Sequence, residues 1–523
     1  MTNEKESPIN THTLPRAGRR EWIGLAVIAL PCMLYSMDLT VLNLAVPHLS
    51  ADLKPSSSEL LWIVDIYGFM VAGFLITMGN LGDRIGRRKL LLIGASAFGI
   101  ASVVAAYSNS AGMLIAARAV LGIAGATLAP STLSLIRNMF HDSKQRTVAI
   151  GIWITSYSVG GAIGPLIGGA LLEHFWWGSV FLVAVPVMVL LLILGPLLLP
   201  EYRDPAIRHL DFISAMLSLV SVLSVIYGLK KIAQNGLGWL AVVCIIAGLI
   251  VGIIFLRRQK KLSDPLIDLE LFRVSSFNAS LLIYTLGTFV AFGTFIFTFQ
   301  YMQLVIGLTP IKAGLWSLPF FFAFIIGSML TPMIVRRIHP AYVMAAGLFL
   351  SAIGFSLLTQ VGRGSGLIFL VTGSFIYCLG LAPIFTLTTD IIVGAAPPER
   401  AGSASAISET GSELGGALGI AIIGSIGTII YRSQLAVTLS SDIPPRVAES
   451  AKETLSEAVL QARQLPAELS RSLLSAANKA FISGMQLAAM TCAIVVTGLA
   501  FLSLKQLGRV QTITTSDEKS IPD

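Results

Sequence analysis

The stretch Gly402–Ile430, GSASAISETGSELGGALGIAIIGSIGTII, has the length of a membrane-crossing helix but contains two acidic residues. Glu409 and Glu413 are four residues apart, so they lie on one face of the predicted helix. Two like charges in a low dielectric resist simultaneous ionisation, and we expect at least one of them to bind a proton near neutral pH. An ionisable group inside a membrane span indicates a function.

The composition around this stretch is typical of a membrane protein. Of the 523 residues, 54% are hydrophobic and 12% are charged, and apolar runs of about 20 residues recur along the chain. We therefore predict an all-α membrane protein, because lipid-exposed backbone must pair within its own helix. The net charge of +8 is attributed to loops on the cytoplasmic side rather than to nucleic-acid binding. The cysteines and histidines have no metal-binding spacing, so no metal site is predicted.

The apolar runs predict 14 membrane spans, numbered here in chain order. They are Trp22–Val46, Leu60–Met78, Leu90–Tyr107, Gly112–Ile136, Val148–Leu171, Gly178–Leu199, Phe212–Leu229, Leu237–Leu256, Ser280–Phe299, Ala313–Val335, Ala341–Leu358, Gly366–Val393, Gly402–Ile430 and Phe481–Leu504. Lysine and arginine concentrate in alternate loops, notably at 84–89, 137–146, 257–261 and 336–337. This bias predicts that those loops and both termini lie on the cytoplasmic side of the cell membrane.

One outer connection, residues 433–479, is much longer than the others. Its apolar residues recur at helical spacing with charges between them, which predicts two short amphipathic helices with a break near Pro466. These helices form either a structured lid or a substrate-binding loop.

An internal repeat divides the chain. LAPSTLSLI, from Leu128 in span 4, corresponds to LAPIFTLTTDII, from Leu381 in span 12, and GGAIGP in span 5 corresponds to GGALGI in span 13. We predict six-helix bundles over residues 22–199 and 277–504, the second including the outer loop 433–479. Residues 200–276 hold two inserted helices, and residues 1–21 and 505–523 form cytoplasmic tails. Duplicated halves are typical of secondary transporters, whose substrate site lies between them.

The connection between spans 2 and 3, GNLGDRIGRRK, resembles the signature of the major facilitator superfamily, whose fold consists of two six-helix bundles. Its charged residues can bridge helix ends and so form a latch that holds one access state. The alternative is an ordinary basic cytoplasmic loop. The latch residues are Gly79, Asp83, Arg84, Gly86, Arg87 and Arg88.

Two further motifs resemble those of this superfamily. GGAIGPLIGG in span 5 is similar to the antiporter motif, and its residues Gly160, Gly164, Pro165, Gly168 and Gly169 favour close helix approach and a kink. Packing alone is the alternative. RAVLGIAG in span 4 matches another motif, in which Arg118 either supports proton transfer or acts as a structural anchor.

Span 1 carries YSMDLTVLNLAVP, with Asp38 inside an apolar helix, and span 2 carries LWIVDIYGF. Together with the acidic span 13, they resemble the 14-span drug:proton antiporters over almost the whole chain, in particular the exporters of quaternary ammonium compounds. The resemblance implies that Asp38, Glu409 and Glu413 serve proton coupling and cation recognition. It also implies that the proton gradient drives transport without a cofactor.

The chain departs from these exporters in span 10. They can carry an acid shortly after the segment that is Gly314–Pro319 here, but this chain has Phe320–Phe322 and Phe324. The missing acid argues against binding of divalent cations, and the rings provide either a cation–π surface or a packing stripe. We expect the substrate wall to include Trp62, Asp65, Tyr67, Phe320 and Phe324.

The sequence therefore predicts a monomeric, proton-coupled exporter of lipophilic cationic drugs, dyes and quaternary ammonium antiseptics. The first alternative is export of tetracycline-type, peptide or lipid substrates on the same scaffold, because fold does not fix substrate. The second is a membrane sensor that transports nothing. No P-loop or nucleophile triad is present in the sequence, so an enzyme is not predicted.

Overall fold

A computed structural model describes residues 16–203, 211–236, 238–262, 265–362, 366–440 and 442–508. Fourteen of its helical segments are long and apolar enough to cross a membrane. This finding confirms the prediction of an all-α membrane protein with 14 spans.

The helices are numbered in chain order. The first half contains α1 (Arg19–Leu53), α2 (Ser57–Ile85), α3 (Arg87–Ala106), α4 (Ala111–Met139), α5 (Ser143–His174), α6 (Ser179–Leu182) and α7 (Ala184–Leu198). The inserted helices are α8 (Phe212–Asn235) and α9 (Trp239–Gln259). The second half contains α10 (Ser275–Gln300), α11 (Pro310–Ile334), α12 (Pro340–Leu358), α13 (Gly366–Ala395), α14 (Ala401–Thr438), α15 (Pro445–Glu453), α16 (Leu455–Ala462) and α17 (Ala467–Leu507). Short helical turns lie at Leu271–Arg273, Tyr301–Val305 and Pro398–Arg400.

The spanning segments alternate in direction. Helices α6 and α7 together form the sixth span, whereas α15 and α16 do not cross. We call the side where α1 begins and α17 ends the terminal face, and the side that carries α15 and α16 the loop face. Helix α14, which contains the acidic pair, runs from the terminal face to the loop face.

Polar turns extend several helices beyond their predicted apolar spans. Helix α2 begins at Ser57, three residues before its predicted span, because the Ser56 hydroxyl accepts a hydrogen bond from the Glu59 backbone and the Glu59 carboxylate accepts one from the Ser56 backbone. It ends at Ile85, and the next residue, Gly86, has a φ of 109° that suits glycine and lets the chain turn sharply into α3.

The outer segment differs in part from its prediction. The break at Pro466 is present, but the first amphipathic stretch forms two helices, α15 and α16, rather than one. The predicted second short helix is wrong, because the chain from Ala467 continues without interruption into the last span. No proline or glycine occurs between residues 467 and 483, so nothing in the sequence stops the helix. The Tyr431 hydroxyl donates to the Ala451 carbonyl (2.8 Å), which holds α15 against α14.

Two large buried clusters follow the two halves of the repeat. One consists of residues from α1 to α7, with Val393 and Ala401 added, and the other of residues from α10 to α17. Phe324 and Phe385 pack against both clusters, so they lie where the halves meet. The exact domain bounds stay a prediction.

The inserted helices pack unequally. Only 17% of the most apolar stretch of α9 is buried in the protein, so α9 faces mainly away from it. It is held to α8 by a hydrogen bond from the Ser221 hydroxyl to the Gly248 carbonyl (2.8 Å) and by an Arg258–Asp211 ion pair (2.9 Å). The hydrogen bond from Arg258 lowers the pKa of Asp211, at the start of α8, to about 2.

Glycines bring equivalent helices together in both halves. On α5, a Cβ at Gly160 would overlap the Met33 carbonyl oxygen of α1. On α14, a Cβ at Gly415 would likewise overlap the Thr285 carbonyl oxygen of α10. Close backbone contact therefore fixes α1 on α5 and α10 on α14, in agreement with the sequence repeat.

Two glycines of the α5 motif provide a test of this close packing and its matched control. We expect Gly160→Ala to destabilise the protein by roughly 1–3 kcal/mol, because the methyl group forces α1 and α5 apart. Gly169→Ala should be neutral or stabilising, because no atom lies within 4 Å of the added carbon. Thermal unfolding of the purified variants in detergent checks this, and equal melting temperatures would contradict the packing argument.

Candidate functional site between the two halves

The acidic pair of α14 contacts both halves. The Glu413 carboxylate accepts a hydrogen bond from the Tyr35 hydroxyl of α1 (2.8 Å), and the Glu409 carboxylate accepts one from the Tyr284 hydroxyl of α10 (3.3 Å). Both glutamates are partly buried. Because α1 and α10 belong to different halves, two acids on one helix face have partners on opposite sides of the junction.

Aromatic side chains surround the Tyr35 ring. The rings of Tyr67 and Tyr157 each lie 5.8 Å from it, measured between centroids. Trp153 packs edge-on against Tyr157 at 4.9 Å, and its indole N–H donates to the Thr132 hydroxyl (2.9 Å). Glu413 is thus approached from the first half by a fixed aromatic group.

Asp38 lies inside the first half. Its carboxylate pairs with the guanidinium of Arg118 (3.4 Å), which is almost completely buried and also lies 5.4 Å from the Tyr67 ring centroid. A cavity of about 20 Å³ borders Asp38 and is lined by residues of α1, α3, α6 and α7. That volume holds about one water molecule, so a drug-sized molecule does not fit there.

The residues between Asp38 and the glutamate pair form a connected series. Arg118 contacts Asp38, Tyr67 lies against Arg118, and Tyr35 lies between Tyr67 and Glu413. The Tyr67 hydroxyl is buried and has no hydrogen-bond partner among the described residues. The predicted roles of these acids stay predictions, but the route between Asp38 and Glu413 passes through side chains rather than across open space.

Three residues of the predicted substrate wall, Tyr67, Phe324 and Phe320, lie in three separate environments. Tyr67 belongs to the aromatic group just described. The ring of Phe324 is 5.6 Å from Phe385, which is 5.4 Å from Tyr284, so Phe324 lies on the Glu409 side of the junction. Phe320 is buried in the core of the second half, which fits a packing role as well as a wall role.

The other two predicted wall residues lie on α2 toward the loop face. Trp62 is 38% exposed and packs edge-on against Phe69, with 6.1 Å between the ring centroids. Asp65 forms an ion pair with Lys230 of the inserted helix α8 (2.7 Å). Asp65 therefore already has a cationic partner.

The predicted latch residues join the halves at the terminal face. Asp83 pairs with Arg87, both almost completely buried, and accepts a hydrogen bond from the Ser403 backbone at the start of α14 (3.2 Å). Gly79 and Gly402 face each other, and a Cβ on either would overlap the other chain segment. The motif thus connects α2 with the helix that carries the acidic pair.

The remaining latch residues make contacts within the first half. Arg84 donates to the Asn80 side chain one turn earlier on α2 (2.6 Å). Arg88 pairs with Glu201 beyond the end of α7 (3.4 Å), and a Cβ on Gly86 would overlap the same Glu201 side chain. A second link between halves comes from Arg146 of α5, which pairs with Asp390 of α13 (2.7 Å).

Tyr35, Tyr284 and Lys230 were not predicted from the sequence as site residues. Tyr35 lies three residues before Asp38 in the same motif, so helical spacing could have placed both near one face. Tyr284 and Lys230 gave no such signal, because their acidic partners are far away along the chain.

Comparisons with known proteins agree with this architecture. The family model described as the Major Facilitator Superfamily matches residues 28–420. The chain is 40% identical over 490 residues to the multidrug efflux pump LfrA of Mycolicibacterium smegmatis, covering 94% of this chain and 97% of that protein. It is 35% identical over 471 residues to the methyl viologen resistance protein SmvA of Salmonella typhimurium, covering 88% and 93%.

A solved structure shows the same fold. The crystal structure of the human organic anion transporter MFSD10 (TETRAN) has a TM-score of 0.59 at 17% identity, covering 92% of this chain and 99% of that chain. The family match and the two relatives confirm the predicted resemblance and indicate a multi-pass membrane transporter rather than an enzyme. The chain belongs to the major facilitator superfamily.

Proposed function

We propose that this transporter exports lipophilic, mostly cationic drugs, dyes and quaternary ammonium compounds in exchange for protons. The observation that carries the proposal is the contact of Glu413, on the second half, with Tyr35 of the first half. It brings a titratable carboxylate to the junction that must rearrange during alternating access. The similarity to a multidrug efflux pump and to a methyl viologen resistance protein supports drugs as the cargo.

Competition between a proton and a cation explains exchange without covalent chemistry. A carboxylate away from water is stabilised either by a proton or by a positive charge nearby. Tyr35 and Tyr284 each donate one hydrogen bond and bring no positive charge. The negative charge of the glutamate pair is therefore stabilised either by a bound proton or by a bound drug cation. Binding of one favours release of the other.

The direction of transport follows from the latch and the basic loops. We assign the terminal face to the cytoplasm, because the basic loops of the chain lie there. The hydrogen bond from the Ser403 backbone to Asp83 and the Arg146–Asp390 ion pair both join the halves at that face. A closed terminal face fits a conformation from which substrate leaves on the opposite side. The chain acts as a monomer in the membrane of the cell.

Everted vesicles holding a proton gradient test the exchange. Ethidium or a quaternary ammonium compound should dissipate the gradient when the wild-type protein is present. The triple variant Asp38→Asn, Glu409→Gln, Glu413→Gln should respond no more than vesicles without the protein, because neither the glutamate pair nor the Asp38–Arg118 pair keeps a carboxylate. Unchanged exchange by this variant contradicts the mechanism. Exchange elicited only by tetracycline-type, peptide or lipid substrates contradicts the proposed cargo but not the coupling.

The link between Glu413 and the first half has a separate test. Tyr35→Phe removes one hydroxyl group and should lower the rate of proton-coupled ethidium transport by about tenfold, since a hydrogen bond to a charged group contributes about 1.5 kcal/mol. Tyr157→Phe is the matched control, because Tyr157 lies in the same aromatic group but contacts Tyr35 through its ring. Equal transport rates for the two variants would remove Tyr35 from the coupling mechanism.

A further inference from the structure

The ion pair between Asp65 and Lys230 lies among aromatic rings. The Lys230 ammonium is 2.7 Å from the Asp65 carboxylate and 5.6 Å from the Phe69 ring centroid. Phe69 in turn packs edge-on against Trp62 (6.1 Å) and against Tyr227 of α8 (6.3 Å). One carboxylate and one aromatic ring therefore face the Lys230 ammonium, and two further rings pack against that ring.

This chemistry is that of a site for a lipophilic cation. A carboxylate supplies charge compensation, and aromatic faces attract cations that water solvates poorly. The Lys230 and Asp65 side chains remain 31% and 29% exposed. Neither side chain is fully enclosed by the protein, so an incoming cation can reach the carboxylate and compete with the ammonium group.

The position of this cluster connects it with the acidic pair. Helix α8 packs on α2, where Leu219 and Leu223 lie against Gly73, and on α14, where Ala417 packs against the buried group that contains Phe69 and Ile226. Ala417 is one helical turn beyond Glu413 in the direction of the loop face. The cluster therefore lies between the acidic pair and the loop face, where the inserted helix touches both halves.

We propose that Asp65, Trp62, Phe69 and Tyr227 form a second cation site, and that Lys230 is a tethered occupant that returns to Asp65 and displaces the drug toward the loop face. The inference rests on the proposed export of lipophilic cations and assigns a role to the inserted helix. On the simpler alternative, the ion pair only fastens α8 to α2.

Equilibrium binding separates the two interpretations without any proton gradient. The probe is tetraphenylphosphonium, and the protein is the purified full-length chain in detergent. Lys230→Gln removes the tethered charge, so we expect affinity for the probe to rise about three- to tenfold. Adding Asp65→Asn to that variant should abolish the gain, because the carboxylate is then missing. Lys230→Arg keeps a cation in place and should bind like the wild type.

Lys312 provides the matched control for net charge. It is an exposed lysine near the start of α11, on the same loop face but on a helix that contributes no residue to the proposed site. Lys312→Gln should change affinity less than twofold, and an equal gain in both variants would overturn the proposal in favour of long-range electrostatics. Unchanged or weaker binding by a folded Lys230→Gln variant also overturns it, while leaving the exporter function intact. Failure of the wild type to bind or transport the probe overturns both proposals.

Discussion

A carboxylate held away from water needs a partner, and this requirement organises the interior of the protein. Asp38 is paired with Arg118, Asp65 with Lys230 and Asp83 with Arg87. Arginine does not lose its proton in a protein, so Asp38 and Asp83 have permanent compensation. The glutamate pair differs, because its hydrogen-bond partners are tyrosines without charge. The carboxylates whose charge is not paired with an arginine or lysine are therefore those on α14. This difference supports the glutamates as the exchange site and Asp38 as a group that acts through Arg118.

The two halves pack their helices in the same way, but they do not carry acidic residues at equivalent positions. Gly160 on α5 and Gly415 on α14 make the same close approach to a neighbouring backbone in their respective halves. In the repeat alignment, Glu413 corresponds to Ser158, so the second half carries its acids at positions where the first half has neutral residues. Duplicated packing gives two halves that fit together in a similar way. Unequal charge then gives the two sides of the junction different chemistry.

Sequence patterns predicted those structural features whose physical cause lies within one stretch of the chain. Apolar runs predicted all 14 spans, and glycine spacing predicted that span 5 approaches a neighbouring helix closely, because lipid contact and backbone approach depend on neighbours along one helix. The hydrophobic pattern did not predict the extent of α17. Its amphipathic and apolar stretches lie in different environments but form one uninterrupted helix. The pattern was also insufficient for Tyr284, whose nearness to Glu409 depends on how α10 packs against α14. Motif resemblance drew attention to Asp65, but only tertiary packing brings Lys230 to it.

The inserted helices show why an addition to a duplicated scaffold need not be peripheral. Helix α9 buries little of its surface, whereas α8 contacts α2 and α14 through small residues and aliphatic side chains. Helix α8 is covered on one side by α9, which accepts a hydrogen bond from Ser221, and on other sides by α2 and α14, so it does not have to be apolar all round. It can therefore carry Lys230 near the loop face, where a lysine stem lies along apolar rings while its charge reaches a carboxylate. A helix in this position can influence both halves at once, because movement of α2 relative to α14 necessarily changes the contacts of α8 with at least one of them.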